Sequence, residues 1–463
     1  MNTILLALRN LLRNRRRSLT TLLAMIIGAS AILLFGGYSR NITYGMQTGI
    51  VQRTGHLQIQ HKDFYLYGNG NAAAYGIANY PDIIDKVKQD PVLAPMLTVA
   101  TPTLQVSGIA GNFDAGVSRT VIGGGSVIVD QNRMRLWNDY HFPLKPQPLA
   151  LTGTSEDSAV IGIGVARVLQ LCESLNVANC PQAPEKQEVA GSRNAPDDIA
   201  LLSALEKPDR SAKNGTRIEM LAASVHGAPN MAGLNIVKAE TQGIKELDDM
   251  YIGLHLAQAQ KLIYGSGDPK ATAIALQLRH TRQIPAARAR LEQLLSTQFK
   301  NQALGVQDFA KLNPLYGQSI AMFGTIFSFI ALLIGSIVLF TVGNTMSMAV
   351  VERTVEIGTL RAMGLRRGGI RLLFMCEGFL LGVIGAALGV ASAVLLSALI
   401  NQSGLTWIPP GYVVAVPLNI YVWGETTLIV GSAIGLILVA ILSAWWPANR
   451  ASKMVIVDAL RHV

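Results

Sequence analysis

Four stretches of this chain run for a bilayer's depth with apolar positions on every helical face: Leu19–Tyr38, Ile320–Val351, Leu372–Ile400 and Thr426–Trp446. Only the third holds a charge, Glu377. A bilayer core of roughly 30 Å takes about 20 apolar residues in a helix, so each stretch predicts a membrane span. Buried core helices are the competing reading, but uncharged runs of this length are rare in soluble domains. Between the first two spans the pattern changes. His56–Gln60, Val121–Val129 and Ala271–Leu278 read as strands, and Pro81–Gln89 and Gln283–Gln298 as helices. Residues 172–215, rich in Pro, Ala, Asn, Asp and Ser, read as an inserted loop. The expected fold is a membrane protein of four transmembrane helices with a large α+β domain over residues 39–317, built as two subdomains with the insertion in one.

Composition agrees. Of 463 residues half are hydrophobic and 15% charged, against about 25% charged in soluble domains. Where the charge sits sets an orientation. Residues 1–18 carry Arg9, Arg13, Arg15, Arg16 and Arg17 and no acid. Residues 349–371 carry net +3 and residues 447–463 net +2, which with the first segment make up the whole net charge of +10. Positive segments stay on the cytoplasmic side. Both termini and the 350–368 loop are therefore expected inside, with spans at 19–38, 318–349, 369–400 and 425–446. The domain over 39–317 and the short loop 401–424 are expected outside. The large domain is neutral, which removes the case for nucleic-acid binding. The first apolar run is longer than the 7–15 residues of a signal peptide and no A-x-A site follows, so it reads as an uncleaved anchor.

Three cysteines exclude a disulfide-dense scaffold. Cys172 and Cys180 fall in the external domain, where an oxidising compartment permits a bond; two free thiols are the alternative. Cys376, in the third span, reads as a packed thiol. The sequence has no phosphate-cradling G-x-x-x-x-G-K-[ST], no H-E-x-x-H and no G-x-S-x-G elbow. The glycines at Gly123–Gly125 and at Gly162 and Gly164 lack the P-loop lysine and read as turn formers. No catalytic residue, metal site or resident cofactor is expected.

The stretch from Asn344 to Gly389, NTMSMAVVERTVEIGTLRAMGLRRGGIRLLFMCEGFLLGVIGAALG, is the most informative. Val351, Val355, Gly358, Ala362 and Leu365 recur on one helical face, with Glu352, Arg353, Glu356 and Arg361 around the rest. Gly364 before Arg366-Arg367 reads as a helix stop beside a basic anchor. Such a helix can dock into a partner's groove or lie on anionic lipid. Gly378, Gly382, Gly385 and Gly389 form a small-residue stripe, repeated by Gly431 and Gly435 in the fourth span, suited to packing within the chain or to a seam between two chains. Glu377 reads as a hydrogen-bonded structural group, a neighbour of lipid head groups, or a proton relay.

Glu352-Arg353, Glu356-Ile357-Gly358, Leu360-Arg361-Ala362 and Gly364 resemble the coupling helix of FtsX-like (MacB/LolC/LolE-type) ABC transporter permeases. The start, ALRNLLRNRRRSLTTLL, resembles that family's amphipathic N-terminal helix, and PANRASKMVIVDALR its C-terminal tail, with Val457 where many relatives have proline. The resemblance implies a non-catalytic permease subunit of a bacterial inner membrane, paired with a second permease chain and with a separate cytoplasmic ATPase that uses ATP and Mg. A periplasmic adaptor or lipoprotein is a further implied partner. The implied work is mechanotransmission for the export or membrane extraction of a lipoprotein, lipid, peptide or amphipathic compound. An alternative within the same resemblance is a non-transporting FtsX-like device that regulates a periplasmic or wall enzyme.

Overall fold

The structure, a computed structural model, describes all residues except 1–2, 14, 69–70, 114, 142–145, 181–215, 226, 409–412, 414 and 456–463. Among the described residues the helices of eight residues or more are α1 (Thr3–Arg13), α2 (Arg15–Thr54), α3 (Tyr80–Gln89), α4 (Ile128–Arg135), α5 (Leu256–Tyr264), α6 (Ile284–Gln298), α7 (Pro314–Glu352), α8 (Thr354–Ala362), α9 (Arg367–Gln402) and α10 (Thr426–Lys453). The chain divides into two units. One holds Met1–Gly45, Leu315–Trp407 and Val416–Val463; the other holds Met46–Pro314 and Ile408–Ala415.

The first unit is helical. Helices α2, α7, α9 and α10 are each long and apolar enough to cross a membrane, as the hydrophobic pattern predicts. Helix α7 buries Val338, Val342, Met346, Ala349 and Val350 and leaves Phe329, Leu332 and Phe340 exposed. Large apolar side chains left open along a helix mark a surface for membrane contact. The small-residue stripe of α9 is taken up inside the chain. A Cβ on Gly378 would lie 2.6 Å from the Cβ of Ala444, and one on Gly389 would lie 2.3 Å from the Cβ of Ala29. Gly382 meets Ile437 of α10 and Gly385 meets Met25 of α2 in the same way. The stripe thus seats two helices of its own chain. Gly431 and Gly435 have open space where a Cβ would be.

The second unit is a nine-stranded mixed sheet with helices against it. Its strands are β1 (Leu57–His61), β2 (Leu97–Asn112), β3 (Val117–Ser126), β4 (Ser158–Gly162), β5 (Arg217–Ala223), β6 (Pro229–Glu240), β7 (Tyr251–His255), β8 (Ala273–Leu278) and β9 (Leu304–Asp308). The order is β3-β7-β4-β6-β5-β2-β8-β1-β9, with the long β2 also pairing with β3. Two apolar clusters fill it. Leu104, Val106, Ile161, Leu234, Ile252 and Leu262 form one. Leu57, Ile59, Ile83, Val87, Ile274 and Leu291 form the other, under α3 and α6.

Two readings of this unit are corrected. The strand placed at Val121–Val129 ends at Ser126, and Ile128 opens α4. β-branched residues favour strands, but Val127, extended at φ −81°, ψ 107°, sits at the helix's N-cap and Asp130 in its first turn. Gly123–Gly125, Gly162 and Gly164 are not turn formers: the first three lie within β3, Gly162 ends β4 and Gly164 lies in the short helix Ile163–Val168. A Cβ on Gly123 would fall 1.6 Å from the carbonyl oxygen of Ile252, so glycine there permits the parallel β3–β7 pairing.

Cys172 and Cys180 are joined by a disulfide; the rest of the 172–215 insertion, from residue 181, lies outside the described residues. At the foot of β1, His56 is fully buried. Its Nδ1 accepts the Leu278 amide at 3.0 Å, and its ring meets Trp137 edge-on at 4.8 Å between centroids.

Candidate functional site

The segment from Ala349 to Arg371 turns the chain between α7 and α9. Helix α7 ends at Glu352, and Arg353 leaves the helical path at φ −102°, ψ 16° before α8 begins. The Thr354 hydroxyl donates back to the Val351 carbonyl at 2.7 Å. At the far end Gly364 takes φ +98°. Its amide donates to the Arg361 carbonyl and the Leu365 amide to that of Leu360, both at 3.0 Å. That is the left-handed glycine stop of a helix end. The coupling helix expected within 350–368 is therefore shorter, Thr354–Ala362, with a break at Arg353.

The break changes which residues point inward. Arg353, Thr354, Ile357 and Gly358 are buried, with Ile357 packed in the apolar cluster that holds Ile370, Phe374 and Ala448. Val351 is 64% exposed and Val355 43% exposed, and Ala362 and Leu365 are also exposed. Of the predicted apolar face only Gly358 is covered.

Arg353 does not sit among solvent-facing charges as the helical face suggested. Its Nη1 donates to Glu377 Oε1 at 2.8 Å, and the two side chains are 7% and 2% exposed. The same Oε1 accepts from Asn10 Nδ2 of α1 at 2.7 Å, while Arg353 Nη2 donates to the Asn10 carbonyl at 3.2 Å. Burying two charges costs several kcal/mol per ion unless pairing and hydrogen bonds offset it, and this junction supplies both. The sole ionisable residue deep in a predicted span is thus held as a hydrogen-bonded ion pair.

The two flanking glutamates are paired as well. Arg13 Nη2 bridges both oxygens of Glu356 at 2.6 and 2.8 Å. Arg17 Nη1 donates to Glu352 Oε2 at 2.8 Å, and its Nη2 pairs with the other oxygen. Arg361 donates to the Met454 carbonyl at the end of α10, and Arg371 Nη2 to Asn449 Oδ1 at 2.8 Å. In the sequence Asn10, Arg13 and Arg17 stand only as part of a basic amphipathic start. Their i, i+3, i+7 spacing was the one available hint that they share a face. Pro447, Ala448 and Ala451 of the C-terminal motif are buried in α10; its remainder, from residue 456, lies outside the described residues. Among the described residues no group of three or more His, Cys, Asp or Glu could hold a metal ion.

Four helices of membrane-crossing length, with a charged turn wired between the second and third, fit a membrane permease. Residues 320–456 match the family model of the FtsX-like permease C-terminal domain. It is similar to the lipoprotein-releasing system transmembrane protein LolC of Neisseria meningitidis, at 26% identity over 244 residues, which covers 50% of this chain and 56% of that protein. It is also similar to the macrolide export ATP-binding/permease protein MacB of Escherichia coli, at 31% identity over 193 residues, or 41% and 27% of the two chains. An uncharacterized ABC transporter permease of Methanocaldococcus jannaschii matches at 27% identity over 217 residues, 46% of this chain and 51% of that one. The matches thus span about half the length of LolC and of the archaeal permease, and about a quarter of MacB.

Proposed function

We propose that this chain is the permease subunit of an ABC transporter of the MacB/LolC type. In this reading α8 takes up movement from a separate cytoplasmic ATPase, which uses ATP and Mg, and α2 and α7 carry it toward the domain over 39–317. The carrying observation is α8 itself: a short helix between two membrane-length helices, in a +3 segment, with Val355 exposed on it and Val351 exposed in the last turn of α7. Exposed apolar positions on a short helix and at its entry fit a groove on a partner. The positive segments support placing both termini and α8 in the cytoplasm, in a bacterial inner membrane. The four apolar stretches carry no charge but the paired Glu377, which supports cargo handling outside the bilayer core. The relatives' names, lipoprotein release and macrolide export, support a lipoprotein, lipid, peptide or amphipathic compound as cargo, and the family's architecture supports a second permease chain and an adaptor.

The test is to purify the full chain from native membranes into nanodiscs and assay ATP hydrolysis by whatever ATPase accompanies it. Val351→Asp/Val355→Asp should release that ATPase and abolish stimulated hydrolysis without lowering the yield of folded chain. Unchanged co-purification in that variant defeats the docking face. Labelling of a Met363→Cys thiol in intact cells by a membrane-impermeant reagent defeats the orientation.

A further inference from the structure

We propose that α1 is the second half of the coupling element, fastened to α8 so that the two move as one body. This rests on the reading of α8 given above and assigns a role to residues outside it. One contact that joins α1 to α8 directly, from Arg13 to Glu356, and two that flank it at the ends of α2, α7 and α9 carry the proposal. Asn10 of α1 touches both members of the buried pair, its side chain on Glu377 and its carbonyl on Arg353. Arg13, at the end of α1, holds both oxygens of Glu356. Arg17, opening α2, holds Glu352. On one side the attached positions are 10, 13 and 17; on the other 352, 353 and 356. They bracket the break at Arg353, the point about which α8 would otherwise swing.

Two of the three attachments are solvent-facing, with Arg13 and Glu356 each about half exposed. Exposed pairs of this kind add little to folding, so stability alone gives them little purpose. Arg17 meets Glu352 with two nitrogens on two oxygens, a fork that fixes geometry, and Arg13 spans both Glu356 oxygens from one nitrogen; fixed geometry is what a lever needs. It follows that Glu352 and Glu356 are positioning residues. They act through Arg17 and Arg13, and the partner's contact falls to the bare apolar positions beside them.

Charge exchange tests this, because exposed groups can be reversed without burying a charge. In the full chain with its co-purified ATPase, Glu356→Arg and Arg13→Glu alone should each lower stimulated hydrolysis by at least about 5-fold, the lower end of ordinary coupling. Arg13→Glu/Glu356→Arg should restore it to within about 2-fold of the unaltered chain, a residue of well under 1 kcal/mol. If Arg13→Glu is silent and the double variant is as weak as Glu356→Arg, Glu356 touches the ATPase directly; the role of α1 is then overturned while that of α8 stands. A second readout needs no partner. Deuterium uptake by the 354–362 amides of the full chain in nanodiscs should rise up to about 5-fold in either single variant, as expected for loss of one surface pair, and return in the double. Uptake unmoved by Arg13→Glu overturns the proposal, and absence of any ATPase in the purified complex overturns it together with the function on which it rests.

Discussion

Arg353 and Glu377, 24 positions apart, meet at 2.8 Å inside the helical unit. The first stands at the break that ends the second apolar helix, the second ten positions into the helix that begins at Arg367. One pair thus ties the turn to the helix that follows it.

Breaking this pair from one side should be costly. Glu377→Gln or Arg353→Met leaves a buried charge alone, and each should destabilise the chain by about 3–5 kcal/mol. Arg353→Met/Glu377→Met, which removes both charges, should be more stable than either. Thermal unfolding of the detergent-solubilised full chain reads this; a Glu377→Gln protein that melts with the unaltered one refutes it.

Glycines of the two stripes should respond in opposite senses. Gly389→Ala puts a methyl 2.3 Å from the Cβ of Ala29, an overpacking that should cost about 1–3 kcal/mol. Gly435→Ala meets nothing within 4 Å, so the gain of roughly 0.5–1 kcal/mol from removing a helix-interior glycine should appear. Equal melting temperatures for the two variants would contradict this packing.

Acid should weaken the strand-rich unit through His56. Burial lowers this imidazole to about 4, the Asp139 carboxylate opposing the shift in part. The unfolded chain takes up its proton near 6.5, so the stabilisation is whole above that value and is lost as pH falls toward about 4. At pH 5 the loss is about 2 kcal/mol, at 1.36 kcal/mol per pKa unit. A His56→Gln chain is less stable at neutral pH, because the Leu278 amide exchanges its partner, but it lacks this slope. Melting curves of the two proteins should converge between pH 6.5 and 4; parallel curves would show that His56 does not titrate with unfolding.

The disulfide should be recoverable. Peptide mapping without reductant should find Cys172 linked to Cys180 and Cys376 as a free thiol. A loop closed over eight positions contributes no more than about 2–3 kcal/mol, so reduction should lower the melting temperature without unfolding the chain. Two alkylated thiols at 172 and 180 in protein purified under air would count against the bond.

Much of the helical unit could be read in advance. Its four apolar runs, the stop at Gly364 and the charged turn before it are local features, visible in windows of a few residues. The sheet was less legible. Of its nine strands three were foreseen, and Gly123–Gly125 pointed to a turn, because a glycine's reason for being in a strand is the carbonyl of Ile252, more than a hundred positions away. Within the turn, the side chains at 352, 353, 356 and 361 were recognised, but their partners were not. Arg353 looked like one more surface charge until the helix break rotated it inward.

The sequence alone determined how many helices can cross a bilayer, where they lie and which segments are positive, because hydropathy and charge are sums over neighbours and need no partner to have effect. Tertiary structure decided which arginine answers which glutamate, which helix each α9 glycine receives and how the nine strands are ordered. Those choices join residues as far apart as Met25 and Gly385, and only the folded chain brings them within the few ångströms over which hydrogen bonds and packing act.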